Sequence, residues 1–460
     1  MIKLFHNIRK FKKRIALVNE KNFKLTYDEI YNESKIFGSI IKNNSISIII
    51  AKNNIECLIG YISLIILNRT TILIDENFSK NFLNKIIKKY KVNYIYAPEE
   101  TKNNFKNLNT IYKKNNYFIF ETNNKINNKI NKMNLLLLTT SGSTQSPKLV
   151  RLSNSNLSEN TNNIVKYLSI KKEHTTITTM PFAYSYGLSI LNSHLQVGAK
   201  IVVNNYSVFN EQFWKLVKLN KVVSFGGVPK FYENLKRLNF NNLNLYNLKY
   251  LTQAGGKMDE DVLKFFGKIC KQKKIKFYIM YGQTEASPRM SYLDWKDFFS
   301  KLGSIGKPLD GCKFRIINNK NKIINKDYHS GQLVFYGKNV SLGYAKNFND
   351  LLKGNINNGK LFTGDIAFKD KDDFYFIIGR INRISKIFGL RLDLDDIEKF
   401  LKKNNIISKC EIDNKILKIL VINKYSSRYI KSIVSKFLNI NENYILVTRV
   451  KKYPRQNIFK

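Results

Sequence analysis

The chain has 460 residues, 43% of them hydrophobic, which is enough for one large domain with a sizeable core and a smaller second one. Its formal net charge is +44, but the lysines are spread among Asn and Ile along the whole sequence and form no arm or stripe. That pattern describes a solvated basic exterior attractive to polyanionic small molecules, and it argues against a nucleic-acid partner. Cys57, Cys270, Cys312 and Cys410 form no CxxC pair, and His6, His174, His194 and His329 no HxH or HExxH spacing, so a reduced, cytoplasmic protein without protein-ligated zinc is expected.

The start, MIKLFHNIRKFKKRI, is basic but lacks an apolar stretch and a cleavage site, so no secretion signal is expected. Residues 15 to 41 read as an apolar strand, a turn, and a helix capped by Thr26. Ser45 to Ala51, a helix from Ile55 and a strand from Thr71 to Ile74 form a βαβ unit, and Val92 to Ala97 adds a strand. The apolar run from Cys57 is broken by Asn68 and Arg69 after eleven residues. A transmembrane helix needs about 20, so none is expected. Residues 98 to 133, rich in Asn and Lys, read as a solvent-facing connection.

Leu135 to Val150 reads LLLLTTSGSTQSPKLV. The four leucines suit a strand buried on both faces, and the small polar residues after them cannot continue a sheet. Thr139, Thr140, Ser141, Ser143 and Thr144 offer hydroxyls, Gly142 allows close backbone approach, and Lys148 supplies a point charge: together, a cradle for phosphate oxygens. It is not a Walker loop, because GxxxxGK followed by Ser or Thr is absent. A short strand from Leu149 to Leu152 follows, and Ser153 caps the next helix.

The alternation then continues with strands at 176 to 180, 200 to 203, 222 to 225, 248 to 252 and 276 to 280. Helices at 188 to 196, from Asn210, from Lys230 and at 259 to 271 separate them. This predicts a mostly parallel sheet covered by helices, with ligands at the strands' carboxyl ends. Tyr281, Gly282, Gln283, Thr284 and Glu285 are expected directly after one strand; an aromatic there can stack on a purine, a hydroxyl can reach phosphate, and a carboxylate can hold Mg²⁺. From Ser304 short strands and turns predominate. Residues 383 to 460 read as a compact α+β unit with two antiparallel strands across Asp413 and Asn414.

Several strings, in this order, resemble the motifs of the adenylate-forming superfamily of AMP-dependent synthetases, which includes acyl-CoA synthetases, firefly luciferase and peptide-synthetase adenylation domains. TSGSTQSPK resembles TSGSTGxPK, with Gln145 in place of Gly, and YGQTEAS matches YGxTE. Gly331 to Leu333 resembles GEL with Gln332 replacing Glu, Gly343 and Tyr344 match GY, Thr363 to Asp365 resembles TGD, and Gly379 and Arg380 match GR. SKIFGLRLDLDDIE resembles KxxGxRIExxEIE, with Lys386, Gly389 and Arg391 on matching positions. The closing PRQNIFK has the spacing of PRTxxGK from Pro454 to Lys460, with Gln456 and Phe459 as departures.

The resemblance implies an α/β fold of the acyl-CoA synthetase type. An AMP-binding domain of residues 1–381, with helix-covered parallel sheets and a β-barrel-like subdomain at roughly 304–381, precedes a mobile α+β lid of residues 382–460 hinged near Asn382. It implies ATP-dependent adenylation of a small-molecule carboxylate, then transfer to a thiol, most simply that of coenzyme A. Thr140, Ser141, Gly142, Ser143, Thr144 and Lys148 would hold the β and γ phosphates, Thr284 the α-phosphate, and Thr144 and Glu285 the Mg²⁺. Asp365 would grip the ribose, Arg380 would contact ribose or phosphate, and Lys460 would bridge the carboxylate and the α-phosphate. Gly255, Gly256, Tyr281, Gly282, Gln283 and Arg391 complete the nucleotide- and cofactor-binding set.

For the acid, Pro181 to Ser189 reads PFAYSYGLS. Tyr184 stands where many relatives have an aromatic or His between the thiol tunnel and the acyl site. Ser185 stands where amino-acid-activating relatives have Asp, which favours an acid without an α-amine. Gly187 joins this candidate lining, and Gly226, Gly227, Val228, Ala254, Gly255 and Gly256, expected at strand ends facing the same side, could line the cavity. Two further readings stay open: delivery to the phosphopantetheine of an acidic carrier protein, and an ATP-binding homologue that has lost turnover.

Overall fold

The computed structural model describes residues 4–126, 129–139, 148–387, 390–413, 416–422, 425–438 and 440–450. They fall into two compact units, the described residues within Met1–Lys313 and Phe335–Leu361, and those within Phe314–Val334 and Phe362–Ile458.

The first unit is built on two sheets. In the eight-stranded sheet the spatial order is Gly343–Ala345, Leu149–Leu152, Leu136–Thr139, Thr70–Asp75, Ile46–Ala51, Tyr94–Pro98, Tyr117–Glu121 and Asn109–Lys114. Its four central strands, from Leu136–Thr139 to Tyr94–Pro98, pair in parallel, and both margins are antiparallel. The central runs are β-branched or leucine-rich and buried along their length, as a strand covered on both faces must be. The nine-stranded sheet orders Lys307–Pro308, Arg289–Leu293, Lys276–Gly282, Tyr250–Gln253, Ser224–Gly227, Thr175–Ile177, Lys200–Val202, Ile15–Val18 and Lys24–Thr26. It is parallel from Lys276–Gly282 through Ile15–Val18.

One core joins residues of both sheets, such as Leu17, Ile201, Ile49 and Leu136, to helices Tyr27–Ile40, Ile55–Ile66 and Ser185–Gln196. Helix Ile55–Ile66 is apolar almost all round, as a helix enclosed by protein must be; Asn54 caps it by accepting from the Cys57 amide. The Tyr61 hydroxyl donates to Asn192 Oδ1 at 3.0 Å, tying this helix to Ser185–Gln196. Among the described residues no helix is long and apolar enough to cross a membrane.

The second unit holds most of the four-stranded sheet Lys313–Ile317, Gly331–Tyr336, Lys360–Lys369 and Tyr375–Arg380. It also holds the pair Ile384–Ile387 and Leu390–Asp393, and a three-stranded sheet of Ser408–Asp413, Ile416–Val421 and Ile445–Arg449. Helices Leu394–Lys403 and Ser427–Leu438 close a small core around Ile397, Leu401, Ile419 and Val434.

The expected α/β class and the strand–helix alternation are present. Residues 98 to 133, however, are no mere connection: Asn109–Lys114 and Tyr117–Glu121 form a hairpin that extends the eight-stranded sheet. Tyr117 to Phe120 are buried, and the Tyr117 hydroxyl donates to the Ile50 carbonyl at 2.9 Å. The outer strand NTIYKK is largely exposed, so its sequence carries no apolar alternation. Tyr281 and Gly282 end strand Lys276–Gly282 instead of following it, and helix Ser185–Gln196 starts three residues before the expected Leu188.

Candidate active site

The candidate site of the first unit grows from two strand ends and one helix start. Strand Lys276–Gly282 runs into a 3₁₀ turn, Thr284–Ala286, before the chain returns as Arg289–Leu293. Buried amides brace this turn. Asn339 Nδ2 donates to the carbonyls of Ala286 and Arg289 at 2.8 and 2.7 Å, and Asn160 Nδ2 donates to the Arg289 carbonyl at 2.8 Å. The Ser341 amide donates to the Glu285 carbonyl at 2.8 Å. These hydrogen bonds hold the backbone from which Thr284 and Glu285 project.

Glu285 Oε1 accepts from the Tyr344 hydroxyl at 2.5 Å. Burial, then the Glu285 charge, push the Tyr344 phenol far above its ordinary pKa, so it keeps the proton it donates. Lys148 Nζ lies over the same ring, 3.7 Å from its centroid. Sheet register explains the meeting: Gly343–Ala345 pairs antiparallel with Leu149–Leu152, which places Tyr344 opposite Val150, two residues beyond Lys148.

On the other side, the Ser185 and Thr284 hydroxyl oxygens are 3.1 Å apart. Ser185 is the first residue of helix Ser185–Gln196, so the helix's positive dipole end lies beside Thr284, a favourable setting for an anion. Tyr184, the N-cap residue, lies against Gly255: a Cβ on Gly255 would meet its hydroxyl oxygen at 2.6 Å, and Gly255 has φ +85°. Burial raises the Tyr184 pKa, with Arg289 opposing.

The remaining glycines are packed against protein. A Cβ would meet the Pro181 carbonyl oxygen at 2.5 Å from Gly187, Phe231 at 2.3 Å from Gly227, Pro229 at 3.3 Å from Gly256, and the Pro288 carbonyl oxygen at 2.0 Å from Gly282. Gly226 faces the Tyr186 hydroxyl and Thr252, each 2.4 Å from such a Cβ. The Gln283 amide donates to the Pro288 carbonyl at 2.9 Å, closing the turn.

In the second unit Asp365 is buried on strand Lys360–Lys369, and its Oδ1 accepts from Arg380 Nε at 2.7 Å across the pair with Tyr375–Arg380. Arg391 lies on Leu390–Asp393, in register with Lys386. Thr140, Ser141, Gly142, Ser143 and Thr144 of the phosphate loop, Gly389 and the terminal Lys460 lie outside the described residues.

Sequence reading did not count Tyr344 or Arg289 among the site residues. Tyr344 had a signal, the GY dipeptide; Arg289, 2% exposed, had none, because arginine is ordinarily a surface residue. Among the described residues no group of three His, Cys, Asp or Glu side chains could cage a metal. One carboxylate, Glu285, suits a Mg²⁺ that takes most of its ligands from phosphate oxygens and water.

A family model described as "AMP-binding enzyme" matches residues 4–345. The 2-succinylbenzoate–CoA ligase of Bacillus cereus (strain ZK / E33L) is 26% identical over 279 residues, 60% of this chain and 56% of the ligase. The chain thus spans little more than half the length of the curated relatives it matches. The o-succinylbenzoate CoA synthetase of Bacillus subtilis with the acyl-adenylate OSB-AMP superposes with TM-score 0.79 at 19% identity, covering 99% of this chain and 96% of that one. The same synthetase with ATP and magnesium gives 0.78 at 19% identity, covering 98% and 96%. At those identities the likeness speaks for the fold.

Proposed function

The chain belongs to the AMP-binding enzyme family, and from that membership we propose that it joins a carboxylic acid to a thiol, most simply that of coenzyme A, through an acyl-adenylate. One observation carries the reading. Lys148, Tyr344 and Glu285 form a single series of contacts, and Glu285 adjoins Thr284, whose hydroxyl meets Ser185 at a helix N-terminus. A cation, a carboxylate, two hydroxyls and a positive dipole end are the groups a Mg·triphosphate and a carboxylate require.

In the proposed reaction a carboxylate oxygen attacks the α-phosphorus in line, the P–O bond to the outer phosphates breaks, and pyrophosphate leaves with its electron pair. A thiol then attacks the acyl carbon, losing its proton, and AMP leaves with the thioester formed. Lys148 and the loop Thr140 to Thr144 would hold the outer phosphates, and Thr284 would hold the α-phosphate with a fixed donor. Mg²⁺ arriving with the nucleotide would be held by Glu285 and Thr144 and would neutralise phosphate charge. The Tyr344 hydroxyl orients that carboxylate, and its ring carries Lys148. Tyr281 would stack on the adenine, beside Gly255, Gly256, Gly282 and Gln283. Asp365 would take the ribose with Arg380 beside it, while Lys460 would bridge carboxylate and α-phosphate. We extend the proposal to a lid of residues 382–460 turning near Asn382, to Arg391 serving the bound cofactor, and to a cytoplasmic setting, which four free cysteine thiols support.

The net charge of +44 favours a second acceptor, an acidic carrier protein bearing phosphopantetheine. The test is acid-dependent pyrophosphate release across a panel of carboxylates, with coenzyme A or carrier as acceptor. Mg·ATP binding without any acid-dependent pyrophosphate would refute the ligase reading and leave a nucleotide-binding homologue.

A further inference from the structure

The nine-stranded sheet carries a charged feature at the edge away from the candidate site. Its six neighbouring parallel strands begin together there, because successive pairings set Lys276 level with Ser224, Ile201 and Leu17. Each of these strands is entered through a basic residue. Lys276 and Lys200 open their strands, Lys249 and Arg14 come directly before theirs, and Lys221 and Lys172 come three residues before. Paired strands stand about 4.8 Å apart, so the six cations form a row about 24 Å long. They are far apart in the sequence, and only the sheet topology assembles them.

Little of this charge is neutralised. Lys276, Lys249, Lys221 and Lys172 are exposed; Glu173 approaches Lys172 at 3.9 Å, and among the described residues the other five cations form no ion pair. The Arg14 guanidinium donates to the carbonyls of Gly198 and Lys172, and Lys200 Nζ to Asn220 Oδ1 at 3.3 Å, all neutral acceptors. Burial, then the Lys24 charge, lower the Lys200 pKa, and burial, then the Lys249 charge, lower His174, as positive potential along the row requires. Helix C-termini at this edge do not account for the row, because Lys218 and Lys271 already stand in the last turns of helices Glu211–Leu219 and Glu260–Gln272.

Large apolar side chains stand among these cations. Leu219, Tyr246 and Trp295 are 63%, 90% and 40% exposed. Leu219 precedes Lys221 by two residues and Tyr246 precedes Lys249 by three, while Lys276 and Lys296 Nζ lie 5.7 and 6.0 Å from the Trp295 ring centroid. We propose that this edge is a docking surface for an anionic lipid bilayer, with the lysine row on the headgroups and Leu219, Tyr246 and Trp295 entering the interface. Five of the six cations are lysines, flexible point charges suited to a fluid headgroup layer, whereas the arginine fork serves fixed phosphates and carboxylates. Trp and Tyr add an apolar body with a polar tip, as an interface requires. Thr284 and Glu285 follow the carboxyl end of strand Lys276–Gly282, so a thiol-bearing carrier would gain nothing by docking at the opposite edge, and a bound protein keeps its candidate site toward water.

The test is co-sedimentation with phosphatidylcholine vesicles and with vesicles that also contain phosphatidylserine, at physiological ionic strength. The wild type should bind the second kind alone and leave it as salt rises. Lys221→Gln, Lys249→Gln and Lys276→Gln together should weaken binding about 100-fold, about fivefold for each basic side chain at an anionic surface. Lys80→Gln, Lys85→Gln and Lys88→Gln on helix Lys80–Lys89, which packs in the core of the other sheet, change the net charge equally and should leave binding nearly intact. Tryptophan emission should shift to the blue on the anionic vesicles and fail to shift in Trp295→Phe. No binding to those vesicles, equal binding to neutral ones, or equal losses in the two triple variants would overturn the inference. Binding to polyuridylate or polyglutamate through the same lysines, with none to vesicles, would assign the edge to a nucleic acid or an acidic protein and overturn it as well. Should the first triple variant fail to fold by circular dichroism, Lys249→Gln alone decides, with a fivefold loss expected and no loss refuting. Lipid binding needs no turnover, so its outcome is independent of the ligase reading.

Discussion

Removing one oxygen atom tests how the site holds its carboxylate. In Tyr344→Phe the ring under Lys148 stays and the 2.5 Å hydrogen bond to Glu285 goes. A hydrogen bond to a charged acceptor contributes about 1.5–3 kcal/mol, and partial exposure of both groups selects the lower end, about 1.5 kcal/mol or roughly tenfold in affinity. Calorimetric titration should therefore show Mg·ATP binding about tenfold more weakly. Tyr344→Leu also removes the cation–π contact with Lys148, worth about 0.5–1 kcal/mol, and should lose a further factor of roughly two to five. The same Tyr344→Phe change made in a Glu285→Gln background should have a much smaller effect, because the charged acceptor has already gone. The pKa of Tyr344 is pushed up by burial and then by Glu285, so its proton stays in place and binding should not weaken through this group between pH 7 and 9. A Tyr344→Phe affinity within twofold of wild type, or equal losses in both backgrounds, would show that the hydroxyl does not act through Glu285.

Three further outcomes follow from the same structure. His194 is held neutral at about 4 by burial, with Nδ1 on the Ile190 carbonyl at 2.8 Å and Nε2 beside the Tyr250 hydroxyl at 3.2 Å. Between pH 6.5 and 4 the unfolded state binds more protons, so stability should fall as pH drops through that window, by up to about 3 kcal/mol. His194→Asn should flatten the slope in urea melts at pH 7 and 5, with His174, also lowered by burial, leaving a remainder. Asn339→Ala strips an amide donor from the carbonyls of Ala286 and Arg289, which should cost about 1–3 kcal/mol in urea unfolding. It should also weaken Mg·ATP binding, and unchanged affinity would mean the turn needs no such brace. Arg380→Ala removes the guanidinium from buried Asp365 and should destabilise by about 1–3 kcal/mol, measured the same way, whereas Asp365→Asn should cost less because an amide replaces the charge.

The legible parts of the site were those where chemistry and local structure share one stretch of sequence. A buried leucine strand that stops at hydroxyls and a lysine is readable, as is a strand that ends in Tyr281 and Gly282 and then offers Thr284 and Glu285. Tyr344 belongs with them only because an antiparallel pairing between segments far apart in sequence sets it opposite Val150, and no local pattern encodes that register. Arg289 was opaque for the opposite reason: the expectation that arginine faces water is usually right, and it fails where an internal cation is retained. The hairpin from Asn109 was hidden by its own exposure, since an outer strand facing solvent needs no apolar alternation.

The composition that obscured these elements also supports the site. Asparagine makes much of the chain read as polar connection, yet its amide both donates and accepts, and buried asparagines hold the turn that carries Thr284 and Glu285. Asn160 accepts from the Arg289 amide and donates to its carbonyl, and Asn156 Nδ2 donates to the carbonyls of Lys338 and Val340, both at 2.7 Å, fixing the segment that leads to Tyr344. Asp could accept in these places but could not donate to a carbonyl, and burying its charge would be unfavourable. An Asn-rich sequence therefore satisfies the buried backbone of this turn without adding acidic groups near Lys148 or Arg289. That leaves Glu285 as the carboxylate carried by this turn.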